Sequence, residues 1–285
     1  MFTNFHSHTY YCDGKEHPEN YIQKAIEQKL FAYGYSSHAP VNFETEWCIP
    51  SDRLNDYISD IYLLKEKYSQ QIEVYLGLEI DYIPGIAGRN KFVNANVQLD
   101  YFIGSIHFVD FFPDNSPWNI DTSDELFSKG LKEIFNNDYK KAARRFYDIT
   151  REMIRTDSPP VIGHLDKIKM FNTSSKYASE EESWYKNEVK ETLKEIKKHG
   201  SMVEINTRGF YRYNQPDLYP SVWIIELMSE MNIPVVLSSD AHTSDEIISG
   251  FDYAIPILKR AGIEELFILK DGKWQSDTLP VTEHQ

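Results

Sequence analysis

Apolar and polar residues follow one another along this chain in a repeating order, with short apolar runs separated by longer amphipathic segments. The first apolar run, residues 2–5, predicts a buried strand. Residues 18–30 then carry apolar side chains at helical spacing, and Pro18 suits the first turn of a helix. The same succession recurs along the sequence, which predicts strands alternating with helices.

The alternation predicts an α/β fold. Further strands are predicted at residues 31–36, 72–80, 101–106, 161–163, 202–206, 234–239 and 266–269. Further helices are predicted at residues 52–69, 87–97, 123–135, 138–155, 181–199, 220–231 and 247–261. This succession of units favours parallel strands joined by helices and, at 285 residues, a closed barrel in a single domain spanning residues 1–285.

One segment departs from the alternation. Residues 108–124 are rich in Pro, Asn and Asp and contain Trp118, which predicts a long loop. Loops of this length in compact domains are commonly lids or binding loops. With the two charged helices that follow, this loop is expected to form an insertion at residues 109–160, and a C-terminal strand and tail are expected at residues 265–285.

The chain carries a formal net charge of −14, which narrows the partners that we expect. This charge argues against a nucleic-acid binder, because such proteins present a basic surface. It also disfavours a small anionic substrate unless a strongly positive group, such as a metal cluster, lies in the site. The two cysteines, Cys12 and Cys48, together with the absence of a signal peptide or a bilayer-length apolar run, predict a soluble cytoplasmic protein without a membrane partner.

Residues of metal-ligand type stand at or just beyond the ends of the predicted strands. They are His6, His8, His38, Glu79, His107, His164, Asp240 and His242, and Asp13 follows shortly after the first pair. Residues two apart in an extended segment share a face, so His6 and His8 can point toward one place. A parallel barrel gathers the carboxyl ends of its strands at one mouth, where we expect these side chains to meet.

The chemistry of these residues indicates a metal site. Imidazoles and carboxylates together suit zinc, iron or manganese, and a carboxylate such as Glu79 can bridge two ions through its two oxygens. We expect three divalent ions as cofactors, because fewer would leave buried carboxylates unpaired at a cost on the order of several kcal/mol each. For any single histidine, a place in the core or on the surface remains the alternative.

The candidate ligands lie in sequence motifs that follow one another in a set order. The motifs are His6-x-His8, Ser37-His38-Ala39-Pro40, Gly77-x-Glu79-x-Asp81-Tyr82, Gly104-Ser105-x-His107-Phe108, Gly163-His164-x-Asp166 and Ser239-Asp240-x-His242, with Asp13 after the first. In this order the chain resembles the polymerase-and-histidinol-phosphatase (PHP) superfamily over nearly its whole length. It is most similar to the stand-alone histidinol-phosphate phosphatases of that superfamily.

The resemblance implies a distorted TIM-like (β/α)7 barrel with a trinuclear metal centre. By motif, the first ion would take His6, His8, Glu79 and Asp240, the second Glu79, His107 and His164, and the third Asp13, His38 and His242. It also implies a metal-dependent phosphomonoesterase that hydrolyses L-histidinol phosphate in histidine biosynthesis. A water ionised between the first two ions would attack phosphorus, with Glu79, Asp240 and His242 as the catalytic candidates.

Fixed cationic side chains would bind the phosphate group of such a substrate, and aromatic side chains would pack against an imidazole-bearing leaving group. The predicted substrate-binding residues are Lys169, Arg208, Arg212, Phe43 and Trp118. The three cations follow strands that end at the predicted mouth, and a guanidinium there can bind two phosphate oxygens at once. Solvated surface cations and ordinary loop packing of the two aromatics are the open alternatives.

Two other functions remain open from the sequence. One is a phosphoesterase of the same kind that acts on a sugar or nucleotide phosphate. The other is a nuclease or proofreading module, since related modules are attached to DNA polymerases, but the acidic charge and the full ligand set argue against it. The expected partner is a small phosphorylated substrate, and no sequence feature indicates an oligomeric state.

Overall fold

The computed structural model describes residues 1–91, 97–213 and 217–280. The strands are β1 (Thr3–Asn4), β2 (Ala32–Tyr35), β3 (Glu73–Leu76), β4 (Glu79–Asp81), β5 (Ile103–Ser105), β6 (Phe108–Phe111), β7 (Pro117–Asn119), β8 (Val161–Ile162), β9 (Met202–Asn206), β10 (Val235–Ser238), β11 (Glu265–Lys270) and β12 (Lys273–Thr278). The helices are α1 (Pro18–Glu27), α2 (Leu54–Lys67), α3 (Asp124–Phe135), α4 (Tyr139–Asp157), α5 (Ser183–His199), α6 (Arg208–Tyr213), α7 (Val222–Glu230) and α8 (Phe251–Arg260). The predicted α/β fold in one domain is confirmed.

The parallel strands form two sheets. Strands β1, β2 and β3 pair in that order, and β10, β9, β8, β5 and β4 form the second sheet. Two isolated parallel bridges link the sheets: Ser7, after β1, pairs with Ala241, after β10, and His38, after β2, pairs with Glu79 in β4. The carboxyl ends of both sheets therefore meet in one region of the molecule.

The predicted strand at residues 72–80 is divided into two strands that belong to different sheets. Strand β3 pairs with β2, whereas β4 pairs with β5. Gly77 lies at the break, and a Cβ atom there would come within 2.5 Å of the Tyr101 ring, whose hydroxyl donates to the carbonyl of Phe5 at 2.6 Å. Because the predicted strand is divided at Gly77, Glu79 begins a strand instead of lying near the end of one.

The helices begin and end at residues that suit those positions. Ser123 and Asp138 precede α3 and α4, and their side-chain oxygens accept the backbone N–H groups of Leu126 and Lys141. Helix α5 ends at His199 and is followed by Gly200, whose φ of 76° is in the left-handed region. Among the described helices, none combines the length and the apolarity that a membrane crossing requires.

Two predicted elements differ from the structure. In the described part of the predicted helix at residues 87–97 there is only a 3-10 turn, Arg89–Lys91, and residues 92–96 lie outside the described residues. The predicted loop at residues 108–124 contains the antiparallel hairpin of β6 and β7. These strands are short and separated by turn-forming residues, so their alternation is too brief to detect in the sequence.

An apolar cluster fills the end of the fold where the parallel strands begin. The antiparallel hairpin of β11 and β12 brings Trp274 edge-on to Phe5 and Tyr101, with ring centroids 5.3 and 6.0 Å apart. The predicted turn between these strands is confirmed, since Asp271 and Gly272 have φ values of 50° and 70°. The polar side chains lie at the opposite end of the fold, where the parallel strands end.

Candidate metal centre

The nine predicted ligand side chains come together where the parallel strands end. Three groups of their ligand atoms lie within 4.8 Å of one another: His8, Asp13, His38 and His242; His6, His8 and Asp240; and His38, Glu79 and His107. His164 joins them, because its Nε2 lies 3.0 Å from Oε1 of Glu79. The structure thus brings all nine residues into one cluster, although the chain contributes them from six separate segments: residues 6–13, 38, 79, 107, 164 and 240–242.

Glu79 lies at the centre of this cluster. Its Oε2 is 3.0 Å from Nδ1 of His38 and 3.3 Å from Nε2 of His6. Its Oε1 is 3.0 Å from Nε2 of His164 and accepts a hydrogen bond from Ser105 at 2.6 Å. Burial alone raises the pKa of the Glu79 carboxyl, but the imidazoles around it hold that pKa well below its usual range. The two oxygens of this carboxylate therefore face two different sets of imidazoles, as a bridging ligand requires.

Asp240 reaches the cluster through an unusual backbone conformation. Its φ of 56° is in the left-handed region, which residues other than glycine rarely adopt and which is often found at functional sites. Arg208 supports this turn, since its Nη1 donates to the Asp240 carbonyl at 2.8 Å. As a result, Oδ1 of Asp240 lies 3.2 Å from Nε2 of His8, and two residues later Nε2 of His242 lies 3.0 Å from Oδ2 of Asp13.

Two buried carboxylates lie behind the candidate ligands and orient them. Oε1 of Glu204 is 2.5 Å from Nδ1 of His6, and Oδ1 of Asp81 is 2.9 Å from Nδ1 of His107. Carboxylates in this position fix the tautomer of a metal-binding imidazole, so that Nε2 faces the metal. Glu204 is not among the residues predicted from the sequence, although a charged residue in the middle of the buried strand β9 signals a specific role.

The residues of the cluster fit divalent metal ions. Four of their buried atoms make no hydrogen bond of acceptable geometry in the described part of the chain, although carboxylate oxygens lie 3.0–3.3 Å from the three nitrogens: Nε2 of His6, Nε2 of His8, Oδ1 of Asp13 and Nδ1 of His38. Buried polar atoms in proteins are normally satisfied, so such atoms gathered at one place need an explanation. A donor set of imidazoles and carboxylates is the one that zinc, iron and manganese prefer, and bound ions would satisfy all four atoms.

A cavity of about 180 Å³ opens over the cluster. Beside the candidate ligands it is lined by Trp47, Asn119, Asp121, Thr122, Lys167, Arg208 and Tyr213. Asp121, which follows β7, has its Oδ2 3.8 Å from Nε2 of His107 and 3.3 Å from Nζ of Lys167. Neither Asp121 nor Lys167 is among the residues predicted from the sequence, because residues 108–124 predict an open loop and do not reveal the hairpin that places Asp121.

The three predicted cations occupy different places. Arg208 lines the cavity. Lys169 is buried away from it, with Nζ 2.9 Å from Oδ2 of Asp166 and 2.8 Å from the carbonyl of Leu218. Arg212 is exposed on α6 and is not among the residues that line the cavity. The structure therefore brings one of the three predicted cations to the candidate ligands.

The two predicted aromatics lie outside the cavity. Phe43 packs edge-on against Phe108, with ring centroids 5.4 Å apart. Trp118 is fully buried and packs against Phe127 at 5.4 Å, because β7 directs it into the core between the hairpin and α3. Trp47, which follows β2 in the same loop as Phe43, lines the cavity instead. Phe43 and Trp47 lie in the same loop, so their positions in the sequence do not show which ring faces the cavity. The packing of the loop decides this.

The model of the PHP domain family matches residues 4–208, which include the first seven of the nine candidate ligands. The chain belongs to the PHP domain family. Asp240 and His242 lie beyond the matched residues, but they complete the same cluster of side chains in the PHP fold.

Relatives of this PHP chain cover most of its length. A protein of Schizosaccharomyces pombe with the name probable histidinol-phosphatase is 28% identical over 267 residues, which are 89% of this chain and 84% of that protein. The histidinol-phosphatase of Bacillus subtilis is 24% identical over 261 residues, which are 87% of this chain and 95% of that protein. The similarity therefore extends well beyond the metal-ligand motifs.

Solved structures show the same fold. A crystal structure of a Listeria monocytogenes protein matches with a TM-score of 0.77 and 22% identity, and covers 88% of this PHP chain and 99% of that one. The histidinol phosphate phosphatase of Lactococcus lactis, solved with zinc, L-histidinol and phosphate, matches with a TM-score of 0.69 and 17% identity. That match covers 96% of this chain and 98% of the Lactococcus chain.

Proposed function

We propose that this PHP protein is a metal-dependent phosphomonoesterase that hydrolyses L-histidinol phosphate to L-histidinol and phosphate. The observation that carries the proposal is the set of unpartnered, buried ligand atoms around Glu79, held in place by Glu204 and Asp81. Relatives over most of the chain have the name histidinol-phosphatase, and the Lactococcus lactis structure contains zinc, L-histidinol and phosphate. Together these observations support one reaction and one substrate.

Three divalent ions, of zinc, iron or manganese, would occupy the cluster as the sequence motifs predict. The first would be held by His6, His8, Glu79 and Asp240, the second by Glu79, His107 and His164, and the third by Asp13, His38 and His242. The distances from the two oxygens of Glu79 to both sets of imidazoles support its place between two ions. When bound, such ions supply an ionised water and positive charge for attack at phosphorus.

The protein's own side chains would hold and orient the substrate. Arg208 lines the cavity beside Asp240, and its guanidinium can bind phosphate oxygens that reach the metal cluster. Trp47 forms an aromatic wall over the same cavity, edge-on to His38 at 4.5 Å and stacked on Phe108 at 5.5 Å. We assign to Trp47 the contact with the imidazole ring of the leaving group that the sequence predicts for Phe43 and Trp118.

The sheet arrangement supports a distorted barrel as the scaffold for this site. The bridges after β1 and β2 link the smaller sheet to β10 and β4, so the parallel strands enclose the cluster on opposite sides. The hairpin of β11 and β12 closes the apolar end. A barrel of this kind presents its carboxyl ends as a single mouth, and a biosynthetic enzyme of this class would act in the cytoplasm.

Steady-state kinetics on a panel of phosphate esters tests the proposed function. The metal-replete protein is assayed for phosphate release from L-histidinol phosphate and from sugar and nucleotide monophosphates, and for nucleotide release from single-stranded DNA. We expect kcat/KM for L-histidinol phosphate to exceed the other values by about 100-fold or more, since a leaving group with fixed contacts contributes binding energy in the transition state. An equal or higher value for another monoester would assign the site to that substrate, and activity on DNA alone would indicate a nuclease.

A further inference from the structure

Two lysines lie on one short 3-10 turn, Lys167–Lys169, directly after His164, yet their ammonium groups have different surroundings. A 3-10 helix has three residues per turn, so residues two apart point to different sides. One of the two lysines therefore faces the cavity over the metal cluster, and the other faces the protein interior.

Lys169 faces the interior, where its ammonium group is fully engaged. It lies 2.9 Å from Oδ2 of Asp166 and 2.8 Å from the carbonyl of Leu218, and it also donates to Oγ of Ser221. A lysine ammonium has three N–H donors, and these three acceptors use them all. Lys169 has no donor left for a phosphate oxygen without breaking this network.

Lys167 faces the cavity. Its side chain is only 6% exposed, and its Nζ lies 3.3 Å from Oδ2 of Asp121, which in turn lies 3.8 Å from Nε2 of His107. Arg208 lines the same cavity from the side of Asp240. The two cations therefore flank the metal cluster, with Lys167 beside His107 and Arg208 beside Asp240.

We infer that Lys167, and not Lys169, is the lysine that binds the phosphoryl group of the substrate. This inference rests on the proposed function and adds a binding residue to it. Three divalent ions would bring more positive charge into the cavity than its carboxylates carry in negative charge. With Lys167 and Arg208, the cavity would then bind a dianion although the whole protein has a net charge of −14. Asp121 is then a positioning residue, because its carboxylate holds the ammonium at the cavity wall.

Replacement of Lys167 by a neutral side chain of similar length tests this assignment. The variants are Lys167→Met, which removes the charge, and Lys167→Arg, which keeps it; Lys176→Met is the control, because Lys176 is an exposed lysine paired with Asp124 outside the cavity. Titration calorimetry with inorganic phosphate gives the Kd of each metal-loaded protein, and elemental analysis gives its metal content. Phosphate-release kinetics gives KM and kcat for L-histidinol phosphate.

We expect Lys167→Met to weaken phosphate binding and to raise KM by about 10-fold or more, as the loss of a charge-assisted hydrogen bond implies. Metal content should stay at the wild-type level, Lys167→Arg should recover most of the affinity, and Lys176→Met should match the wild type. A phosphate Kd for Lys167→Met within about twofold of the wild type would overturn the assignment. Should Lys167→Met not fold, Lys167→Gln takes its place with the same two outcomes.

The failure of this assignment is distinguishable from the failure of the proposed function. If the wild-type protein hydrolyses L-histidinol phosphate and Lys167→Met binds phosphate equally well, only the role of Lys167 is overturned. If the wild type hydrolyses a different monoester while phosphate binding still depends on Lys167, the substrate is overturned and the phosphate site is upheld. A wild type that neither binds phosphate nor hydrolyses any of the monoesters overturns both.

Discussion

Nδ1 of His6 lies 2.5 Å from Oε1 of Glu204, and both side chains are completely buried. His6 follows the first strand and Glu204 belongs to β9, so this contact joins distant parts of the chain. Because Glu204 accepts the Nδ1 proton, Nε2 is the nitrogen of His6 that faces the cluster and would bind a metal ion. The second oxygen of Glu204 accepts the backbone N–H of His164 at 2.9 Å, so one carboxylate orients two candidate ligands.

Replacement of Glu204 by glutamine should weaken metal binding. The amide offers one acceptor oxygen instead of two, so either His6 or the backbone N–H of His164 would face an NH2 group. Replacement of a carboxylate that orients a metal-binding histidine typically lowers metal affinity by about 10- to 100-fold. We expect a loss of metal affinity in that range, measured by competition with a chelator. Glu226→Gln, at an exposed position of α7, is the matched control. Wild-type affinity in Glu204→Gln would show that the contact does not orient His6.

Replacement of Glu79 by glutamine should cost both metal content and turnover. A neutral amide cannot serve as an anionic bridge, and its NH2 group would face either the His6 and His38 side or the His164 side of the cluster. We expect kcat for L-histidinol phosphate to fall by about 100-fold or more, with a lower metal content by elemental analysis. Full activity of this variant with a full complement of metal would contradict the proposed centre.

Lys169→Met should lower stability instead of phosphate affinity. The substitution leaves the buried carboxylate of Asp166 without its ammonium partner, where burial already raises the pKa of Asp166 to about 6. Loss of one partner from a buried ion pair typically costs about 3–5 kcal/mol, and denaturant titration should show a decrease of that size in the free energy of unfolding. A tenfold weaker phosphate Kd with unchanged stability would instead return the role of phosphate ligand to Lys169.

Two tryptophans provide a contrast between packing and substrate contact. Trp118→Ala removes a fully buried side chain and should lower the free energy of unfolding by about 3–5 kcal/mol, with KM unchanged at a temperature where the variant is folded. Trp47→Ala should raise KM for L-histidinol phosphate by about threefold or more. The measurements are denaturant unfolding and steady-state kinetics on both variants. The reverse pattern would restore Trp118 as the substrate contact.

Removal of the metal ions should destabilise the fold as well as abolish activity. The cluster contains buried carboxylates and unpartnered imidazole nitrogens that the ions would satisfy, so ions bound only to the native state contribute to its stability. At ion concentrations about 1,000 times Kd this contribution is about 4 kcal/mol. Calorimetry before and after chelation should show a lower Tm, which returns when zinc, manganese or ferrous iron is added back. An unchanged Tm in protein shown to be metal-free would refute this coupling.

The sequence predicts which residues form the metal-ligand cluster better than it predicts which neighbouring side chains reach the cavity. His6, His8 and Asp240 meet because parallel strands end on one side of the fold, and this follows from the order of strands and helices. Lys167 and Lys169 both follow the same strand, and the phase of a single 3-10 turn decides which of them reaches the cavity. Lys169 is held in the interior by Asp166 and by Leu218 and Ser221, and the last two lie 49 and 52 positions further along the chain.

Packing against distant residues decides the remaining differences. Trp118 is directed into the core because β6 and β7 form a hairpin that covers α3, whereas Trp47 is left over the cavity. The sequence of residues 108–124 is polar and rich in turn formers, so it does not reveal that hairpin. Glu204 is different, because a carboxylate within a buried strand predicts a specific partner even before the partner is known.

The contact between Asp13 and His242 joins residues that are 229 positions apart in the chain. While the protein is being synthesised, the first ligands leave the ribosome long before the last ones exist, so a nascent chain offers only fragments of the cluster. Full coordination of the first and third proposed ions, which need Asp240 and His242, must therefore wait until nearly the whole polypeptide has emerged and folded. Completion of the metal centre is thus a late event in the maturation of this enzyme, and a prematurely terminated chain would lack a complete centre.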